Sequence, residues 1–314
     1  MELVTAPAKK KATGLEKLKK EYKMNKYVYL MAFPVILFYI VFHYIPMGGV
    51  VIAFQDFKPA KGVLGSTWVG MKYFVDFLTG TYALRVIRNT ILISVYEIIF
   101  GFPAPIILAL LINEIKSNHY KRTIQTISYM PHFISLVVIC GIISDFTKTD
   151  GLVNDFIVIF GGERNNLLTQ KDLFRLIFVS SGIWQQLGWG SIIYLATLSS
   201  IDPSLYEASV IDGAGRFRQL LHITLPSLVP TIAVLLIMRL GHIMSMGFEK
   251  IILLYNPLTY ETADVISSYV YRRGLQETNY SLGAAVGLFN AVINFLILIS
   301  SNAFSRKFIK ESLW

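Results

Sequence analysis

Six long stretches of mainly apolar residues leave few folds open to this chain. Each stretch is about 20 residues or longer, enough for one helix to cross the hydrocarbon core of a bilayer. The composition agrees, since 54% of the residues are hydrophobic, 16% are charged and the mean hydropathy is +0.54. We therefore predict an all-α integral membrane protein with six transmembrane helices, at Tyr27–Phe54, Val86–Ile112, Thr126–Phe146, Leu173–Ser200, Ser227–Gly247 and Leu282–Phe304.

The distribution of lysine and arginine predicts how these helices are oriented. Basic residues near the ends of spans are retained on the cytoplasmic side, and the amino-terminal segment is rich in lysine. Both termini are therefore expected in the cytoplasm. This divides the chain into a basic tail (1–26), a six-helix transmembrane domain (27–304) with a cytoplasmic loop at 202–226, and a short tail (305–314). We interpret the basic tail as a retention signal near lipid head groups, with no role in binding nucleic acid.

A short charged segment follows the fourth apolar stretch. Asp202 can cap a helix that has Pro203 in its first turn, and the glycines at 213 and 215 are expected to break that helix. A second helix is predicted to end shortly before Pro226, where the chain turns into the membrane. The apolar side chains of the segment share one helical face, which needs a partner surface to cover it: Val210, Ile211, Ala214, Phe217 and Leu221.

The same segment resembles that of a known family. The pattern E-A-S-x-x-D-G-A at Glu207–Ala214, followed by I-T-L-P at Ile223–Pro226, is similar to the EAA loop in permease subunits of binding-protein-dependent ABC importers. The resemblance implies the type I ABC importer permease fold and a coupling helix that docks into a cleft on a cytoplasmic ATPase subunit. The residues that it implies for this coupling are Glu207, Ala208, Ser209, Asp212, Gly213, Arg216, Ile223, Leu225 and Pro226.

Three further stretches resemble the branch of this family that imports oligosaccharides released from polysaccharides, which is related to the maltose-type permeases. They are FHYIPMGGVVIAFQDFKP at 42–59, GSTWVGMKYF at 65–74 and LYNPLTYETADVISSYVYRRGL at 254–275. The resemblance implies a multi-pass protein of the bacterial plasma membrane. It also implies a second, similar permease chain, two ATPase subunits, an extracellular sugar-binding protein, and an oligosaccharide as substrate.

The sequence contains none of the nucleotide-binding or catalytic motifs considered below. It contains no G-x-x-x-x-G-K-[ST] phosphate-binding loop, so ATP hydrolysis, with its ATP and magnesium, is assigned to a separate partner chain. No H-E-x-x-H or G-x-S-x-G motif occurs, and the 5 histidines are scattered over different segments. We therefore expect no catalytic residue, no metal site and no cofactor bound by this chain.

Polar residues inside the apolar stretches are the candidates for a substrate path, because each is costly in lipid and normally faces a cavity or a partner. The fourth stretch contains Gln185, Gln186 and Trp189. In the related maltose importer subunit, this span and the span after the loop contribute sugar contacts. Aromatic faces and amides suit the C–H faces and hydroxyls of sugars. The alternative is that these side chains only pack or form hydrogen bonds between helices.

Arg239 and Glu97 are the most unusual pair within the apolar stretches. Arg239 lies 13 positions past Pro226, or ~20 Å along a helix, too deep for easy snorkelling. The two residues can neutralise each other. If Arg239 is free instead, it can face the path together with His242, and an acidic sugar becomes plausible.

The remaining candidates allow more than one interpretation. Asn290 and Asn294 lie four positions apart on one helix face, and either bond between helices or face the substrate path. The stretch Glu261–Arg273 has an amphipathic pattern, which predicts a short helix on the outer surface that could contact the sugar-binding protein. An ion-coupled secondary transporter that uses the Glu97 carboxylate is the alternative function.

Overall fold

The computed structural model describes residues 22–245, 247–308 and 312. Most of the predicted amino-terminal tail and part of the carboxy-terminal tail lie outside these residues. The helices are α1 (Lys26–Phe54), α2 (Lys72–Leu78), α3 (Ala83–Asn113), α4 (Asn118–Phe133), α5 (Leu136–Thr147), α6 (Leu152–Ile159), α7 (Lys171–Ser199), α8 (Pro203–Ile211), α9 (Arg216–Leu240), α10 (Phe248–Leu254), α11 (Tyr260–Ala263), α12 (Ile266–Tyr269) and α13 (Tyr280–Phe308). Two short strands, β1 (Gln55–Asp56) and β2 (Thr67–Trp68), form an antiparallel hairpin with Gln55 opposite Trp68.

Within the described residues, 4 helices are long and apolar enough to cross a membrane: α1, α3, α9 and α13. The count is 5 if a bent pair of helices, residues 118–133 and 136–159, forms one span. The 29-residue α7 is as long as these helices. Its amide and tryptophan side chains lower its mean hydropathy, so it is not among the helices that are apolar enough to cross a membrane by this measure.

The third predicted span, Thr126–Phe146, is wrong as a single straight helix. The chain bends by 100° between Phe133 and Leu136. Pro131 lacks the N–H that a continuous helix needs, and the Oγ of Ser135 accepts a hydrogen bond from the backbone N–H of Val138 at 3.4 Å, which caps the start of α5. Local capping therefore starts a new helix where the apolar pattern alone predicts continuation.

The predicted helix end before Pro226 is also wrong. The helix that begins at Arg216 passes through Pro226 and ends at Leu240, short of the predicted Gly247. A π turn at Leu220–Thr224 precedes the proline, and such a turn changes the local hydrogen-bond pattern without ending the helix. One continuous helix therefore extends from the charged segment to Leu240.

The core lies where α7 meets α5 and α10. Phe174 and Phe178 of α7 are fully buried beside Ile139 and Ile251. Gly188 of α7 lies against the backbone of Ser128, so closely that a side-chain carbon at this position would overlap the Ser128 carbonyl. In contrast, none of the most apolar part of α1 is buried within the described chain.

The stretch Glu261–Arg273 does not form the predicted surface helix. It is divided into α11, α12 and a π-helical segment (Val270–Gln276), and Asp264 lies between the first two. Asp264 is fully buried and accepts hydrogen bonds from Arg272 at 2.7 Å and Arg85 at 3.2 Å. A buried carboxylate is stable only with such partners. Because Arg85 belongs to α3, its contact with Asp264 holds the stretch against α3.

Candidate transport path and coupling segment

A cavity of about 300 Å³ lies between α3, α7 and α9. Its lining includes Glu97 of α3, Gln186 and Trp189 of α7, and Arg239 of α9. Glycines at 101, 182 and 190 also line it. The structure thus brings four residues from three distant parts of the sequence to one site, three of them predicted for a substrate path.

Arg239 and Glu97 form an ion pair inside this cavity. The distance from Arg239 Nη2 to Glu97 Oε2 is 3.4 Å, and the side chains are 35% and 15% exposed, respectively. The Nε of Arg239 is buried and has no hydrogen-bond partner among the described residues. The structure therefore supports neutralisation of Arg239 by Glu97, while both groups still face the cavity.

His132 contacts Gln186 and Trp189, two of the residues that line the cavity. Its Nδ1 lies 3.0 Å from Gln186 Oε1, and its ring stacks on Trp189 with centroids 4.4 Å apart and planes 2° from parallel. Sequence reasoning missed His132, because 54 positions separate it from Gln186 and the sequence pattern does not relate the two helices. The cluster combines an aromatic surface with hydrogen-bonding groups, the chemistry that suits a sugar.

Lys250 was also missed by sequence reasoning. Its side chain is buried, and Nζ donates a 2.8 Å hydrogen bond to the carbonyl of Phe178. A β-carbon at Gly182 would lie 3.4 Å from Lys250 Nζ and 3.9 Å from Glu97 Oε1. The Glu97 carboxylate therefore has two cations near it, Arg239 and Lys250.

Four other candidates do not line this cavity. Gln185 is buried on another face of α7, and His242 is exposed in the turn after α9. Asn290 and Asn294 donate hydrogen bonds to the Oγ of Ser245 at 3.1 and 2.9 Å, and Asn294 also accepts one from the Met244 N–H at 2.9 Å. The two asparagines therefore hold the turn after α9 against α13. This arrangement agrees with the interpretation that they form hydrogen bonds within the protein, and not with the one that they face the substrate path.

The coupling segment consists of α8, the turn at Asp212–Gly215 and the start of α9. The backbone N–H of Ser204 donates to Asp202 Oδ1 at 2.9 Å, which caps α8 and lowers the pKa of the Asp202 carboxyl. Gly213 has φ +75°, in the left-handed region that favours glycine, and turns the chain into α9. This part of the sequence analysis, two helices separated at the glycines, is confirmed.

The predicted coupling residues present polar and apolar groups to solvent. Glu207, Ala208, Asp212, Arg216 and Pro226 are exposed, whereas Ser209, Ile223 and Leu225 are half-buried. Ile211 is 86% exposed and Phe217 73% exposed. The Glu207 side chain forms no ion pair within the part of the chain that the structure describes. The segment thus offers a charge and an apolar face for another molecule to cover.

Internal contacts keep this segment in shape. Gln219 Nε2 donates to Ser209 Oγ at 2.9 Å, and the hydroxyls of Tyr206 and Thr224 lie 3.0 Å apart. An exposed ion pair of 3.5 Å between Arg216 and Glu114 joins the start of α9 to the end of α3. These contacts connect α8 to α9, so both helices can move as a unit.

Comparison with known proteins relates this arrangement to transport. The family model described as "Binding-protein-dependent transport system inner membrane component" matches residues 101–310. Protein LplB of Bacillus subtilis (strain 168) is 42% identical over 93% of this chain and 92% of its own length. The polygalacturonan/rhamnogalacturonan transport system permease protein YteP of the same organism is 41% identical over 92% of this chain and 91% of its own.

A solved structure has the same fold. A chain of a bacterial ABC transporter involved in the import of the acidic polysaccharide alginate superposes with a TM-score of 0.87 and 46% identity, over 93% of this chain and 99% of that chain. A second structure is that of the bacterial alginate ABC transporter in complex with an alginate pentasaccharide-bound periplasmic protein. It superposes with a TM-score of 0.88 and 44% identity, over 95% of this chain and 100% of that chain.

Proposed function

Because the chain belongs to the family of binding-protein-dependent transport system inner membrane components, we propose that it is a membrane-spanning subunit of an ATP-driven importer of oligosaccharides. The named relatives and the alginate importer chains match it over nearly its full length. The name of YteP refers to polygalacturonan and rhamnogalacturonan, and that of the solved transporter refers to alginate. The substrate of this chain is accordingly an oligosaccharide released from a polysaccharide.

The complex contains further chains. A second, similar permease completes the pathway, two ATPase subunits bind and hydrolyse ATP with magnesium, and an external sugar-binding protein delivers the substrate. The alginate importer, solved with its periplasmic protein, supports the last of these partners. This chain binds no cofactor itself in the proposed complex.

The chain crosses the bacterial plasma membrane six times, with both termini in the cytoplasm. The crossings are α1, α3, the bent pair that includes α4 and α5, α7, α9 and α13. The polar side chains of α7 are tolerated because they face a cavity and neighbouring helices instead of lipid. The exposed apolar side chains of α1 face lipid and the second permease.

The exposed coupling segment is the observation that carries this proposal. Ile211 and Phe217 are more than two-thirds exposed in the same segment as Glu207, which forms no ion pair among the described residues. This arrangement suits docking of a helix into a groove. From Arg216, α9 continues without a break to Arg239 at the cavity, a distance of ~35 Å along the helix. Movement of an ATPase cleft against the segment is therefore transmitted through α9 to the wall of the cavity.

Reconstitution tests this function. The chain, its partner permease, the ATPase and the binding protein are placed in liposomes, and uptake of labelled oligosaccharides is measured with ATP, without ATP, and with an imposed proton gradient. We expect uptake that requires both ATP and the binding protein. Uptake driven by the gradient alone would instead favour an ion-coupled carrier, an alternative that the pairing of Glu97 with Arg239 does not favour.

A further inference from the structure

A second cavity of about 490 Å³ adjoins the first along α7. The two share Val179 and Ile183, so they form one continuous surface of α7. Arg175 lines the second cavity near the amino-terminal end of α7, and Tyr96 and Phe100 of α3 lie across from it. In the proposed orientation this cavity is on the outer side, where a substrate arrives first.

Arg175 is a half-buried cation held in place by neutral groups. Its Nη2 donates to Asn89 Oδ1 at 2.8 Å, and its Nε donates to the carbonyl of Thr262 at 3.3 Å. No carboxylate lies within 4.0 Å of its guanidinium in the described chain. Arg85 and Arg272, in contrast, both pair with the carboxylate of Asp264.

The charge of Arg175 is therefore oriented but not paired with a carboxylate among the described residues. A cation in a partly dehydrated site favours an anionic ligand, and the planar guanidinium suits a carboxylate in particular. Arg239, which the sequence suggested as the acceptor for an acidic sugar, is a weaker candidate because Glu97 lies 3.4 Å from it.

The aromatic residues complete the site. Tyr96 and Phe100 are 36% and 58% exposed, so their rings are accessible from the cavity. Aromatic faces stack on the apolar C–H faces of sugars. From Arg175 to Gln186 is ~16 Å along the helix, which lets an oligosaccharide of several units reach from this cavity to the cluster of His132, Gln186 and Trp189.

We propose that the cavity beside Arg175 is an outer subsite that receives a carboxylate of an acidic oligosaccharide before the sugar reaches the inner cavity. This inference rests on the proposed import of oligosaccharides. The subsite selects uronic-acid units by charge, while stacking and amide contacts further in accept the sugar backbone. Asp172, which lines the same cavity, weakens the binding of anions there.

The test uses the reconstituted complex with its binding protein and two probes, a tetragalacturonate and the same oligosaccharide with its carboxyl groups reduced. Initial uptake rates of Arg175→Gln, Arg175→Lys and Asp172→Asn are each divided by the rate of the unmodified complex with the same probe. Because both rates in each ratio are measured with the same probe, any preference of the binding protein for one probe over the other cancels. Assembled yield and melting temperature detect any structural effect of losing the contacts to Asn89 and Thr262.

We expect Arg175→Gln to lower uptake of the acidic probe about tenfold or more, since a hydrogen bond to a charged group contributes ~1.5–3 kcal/mol. In the same variant, uptake of the reduced probe stays within about twofold of the rate of the unmodified complex. Arg175→Lys retains most of the uptake of the acidic probe. Asp172→Asn raises uptake of the acidic probe at low probe concentration. Equal effects on both probes, or no effect on the acidic one, overturn the subsite. An unmodified complex that imports neither probe, nor any other oligosaccharide, overturns the proposed function and the subsite with it.

Discussion

Arg239 and Glu97 lie 142 positions apart in the sequence, yet their side chains meet at 3.4 Å on the wall of the inner cavity. Glu97 sits in a π turn of α3 (Glu97–Gly101), and Arg239 lies in the last turn of α9. The pair joins the two helices close to the end of α9. It therefore has a structural role and also forms part of the cavity surface.

Removing one member of this pair is expected to harm assembly more than removing both. Arg239→Met leaves the Glu97 carboxylate with only Lys250 near it, and breaking a buried pair costs about 3–5 kcal/mol. We expect a smaller loss here because Arg239 is 35% exposed. The double variant Arg239→Met with Glu97→Gln should recover most of the yield. Detergent-solubilised yield and melting temperature measure both, and a normal yield of the single variant would count against a stabilising pair.

Glu207 is expected to act in coupling and not in folding. Glu207→Leu removes an exposed charge that forms no ion pair in the described chain, so the melting temperature of the permease should change little. ATP hydrolysis stimulated by the loaded binding protein should fall at least several-fold, because a charge-assisted hydrogen bond to the ATPase is lost. Glu163→Leu, at an exposed glutamate in the loop before α7, is the matched control. Normal stimulation in Glu207→Leu would show that this glutamate is dispensable.

Gly213 is expected to be required for its backbone conformation. A β-carbon there meets no atom within 4 Å, so the only obstacle to a side chain is φ +75°. Gly213→Ala should cost about 1–2 kcal/mol in this region and distort the coupling turn. Gly213→Asn should retain more stimulated ATP hydrolysis, because asparagine tolerates left-handed backbone better. The explanation fails if alanine and asparagine behave alike.

Gly188 is expected to be essential for packing of α7 on α4. A β-carbon at Gly188 overlaps the Ser128 carbonyl, whereas one at Gly287 of α13 has no atom within 4 Å. Gly188→Ala should therefore destabilise the protein by about 1–3 kcal/mol and move α7, which carries Gln186 and Trp189. Gly287→Ala is the control and should fold normally. Equal melting temperatures for the two variants would contradict the close contact.

Asp264 is expected to be the most sensitive carboxylate of the stretch Glu261–Arg273. Asp264→Asn leaves Arg85 and Arg272 without their shared anion in a buried setting, at a cost that can reach about 3–5 kcal/mol. Asp150→Asn removes an ion pair between Asp150 and Lys148 in which the Asp150 side chain is 81% exposed. Exposed pairs of this kind contribute about 0–1 kcal/mol to the free energy of unfolding. Thermal unfolding compares the two variants. Similar melting temperatures would mean that Asp264 is not a structural anchor.

Apolar length and local turn chemistry are properties of consecutive residues, and they predicted several elements correctly, although the predicted helix end before Pro226 was wrong. The apolar stretches predicted α1, α3 and α13, because a long hydrophobic segment has few alternatives to a membrane helix. The cap at Asp202 and the left-handed turn at Gly213 depend on neighbouring residues alone. The family resemblance of the coupling segment also follows from consecutive residues, and the match at 101–310 confirms the family.

Contacts between distant segments were decided only by the tertiary structure. His132 reaches Gln186, Lys250 reaches the Phe178 carbonyl, and Asp264 is buried between Arg85 and Arg272. No periodicity predicts these contacts, because helical phase specifies which residues share a face but not which helix that face meets. A buried polar group takes its partner from whatever packing places nearby, since leaving it unpaired costs several times more than an average hydrogen bond contributes.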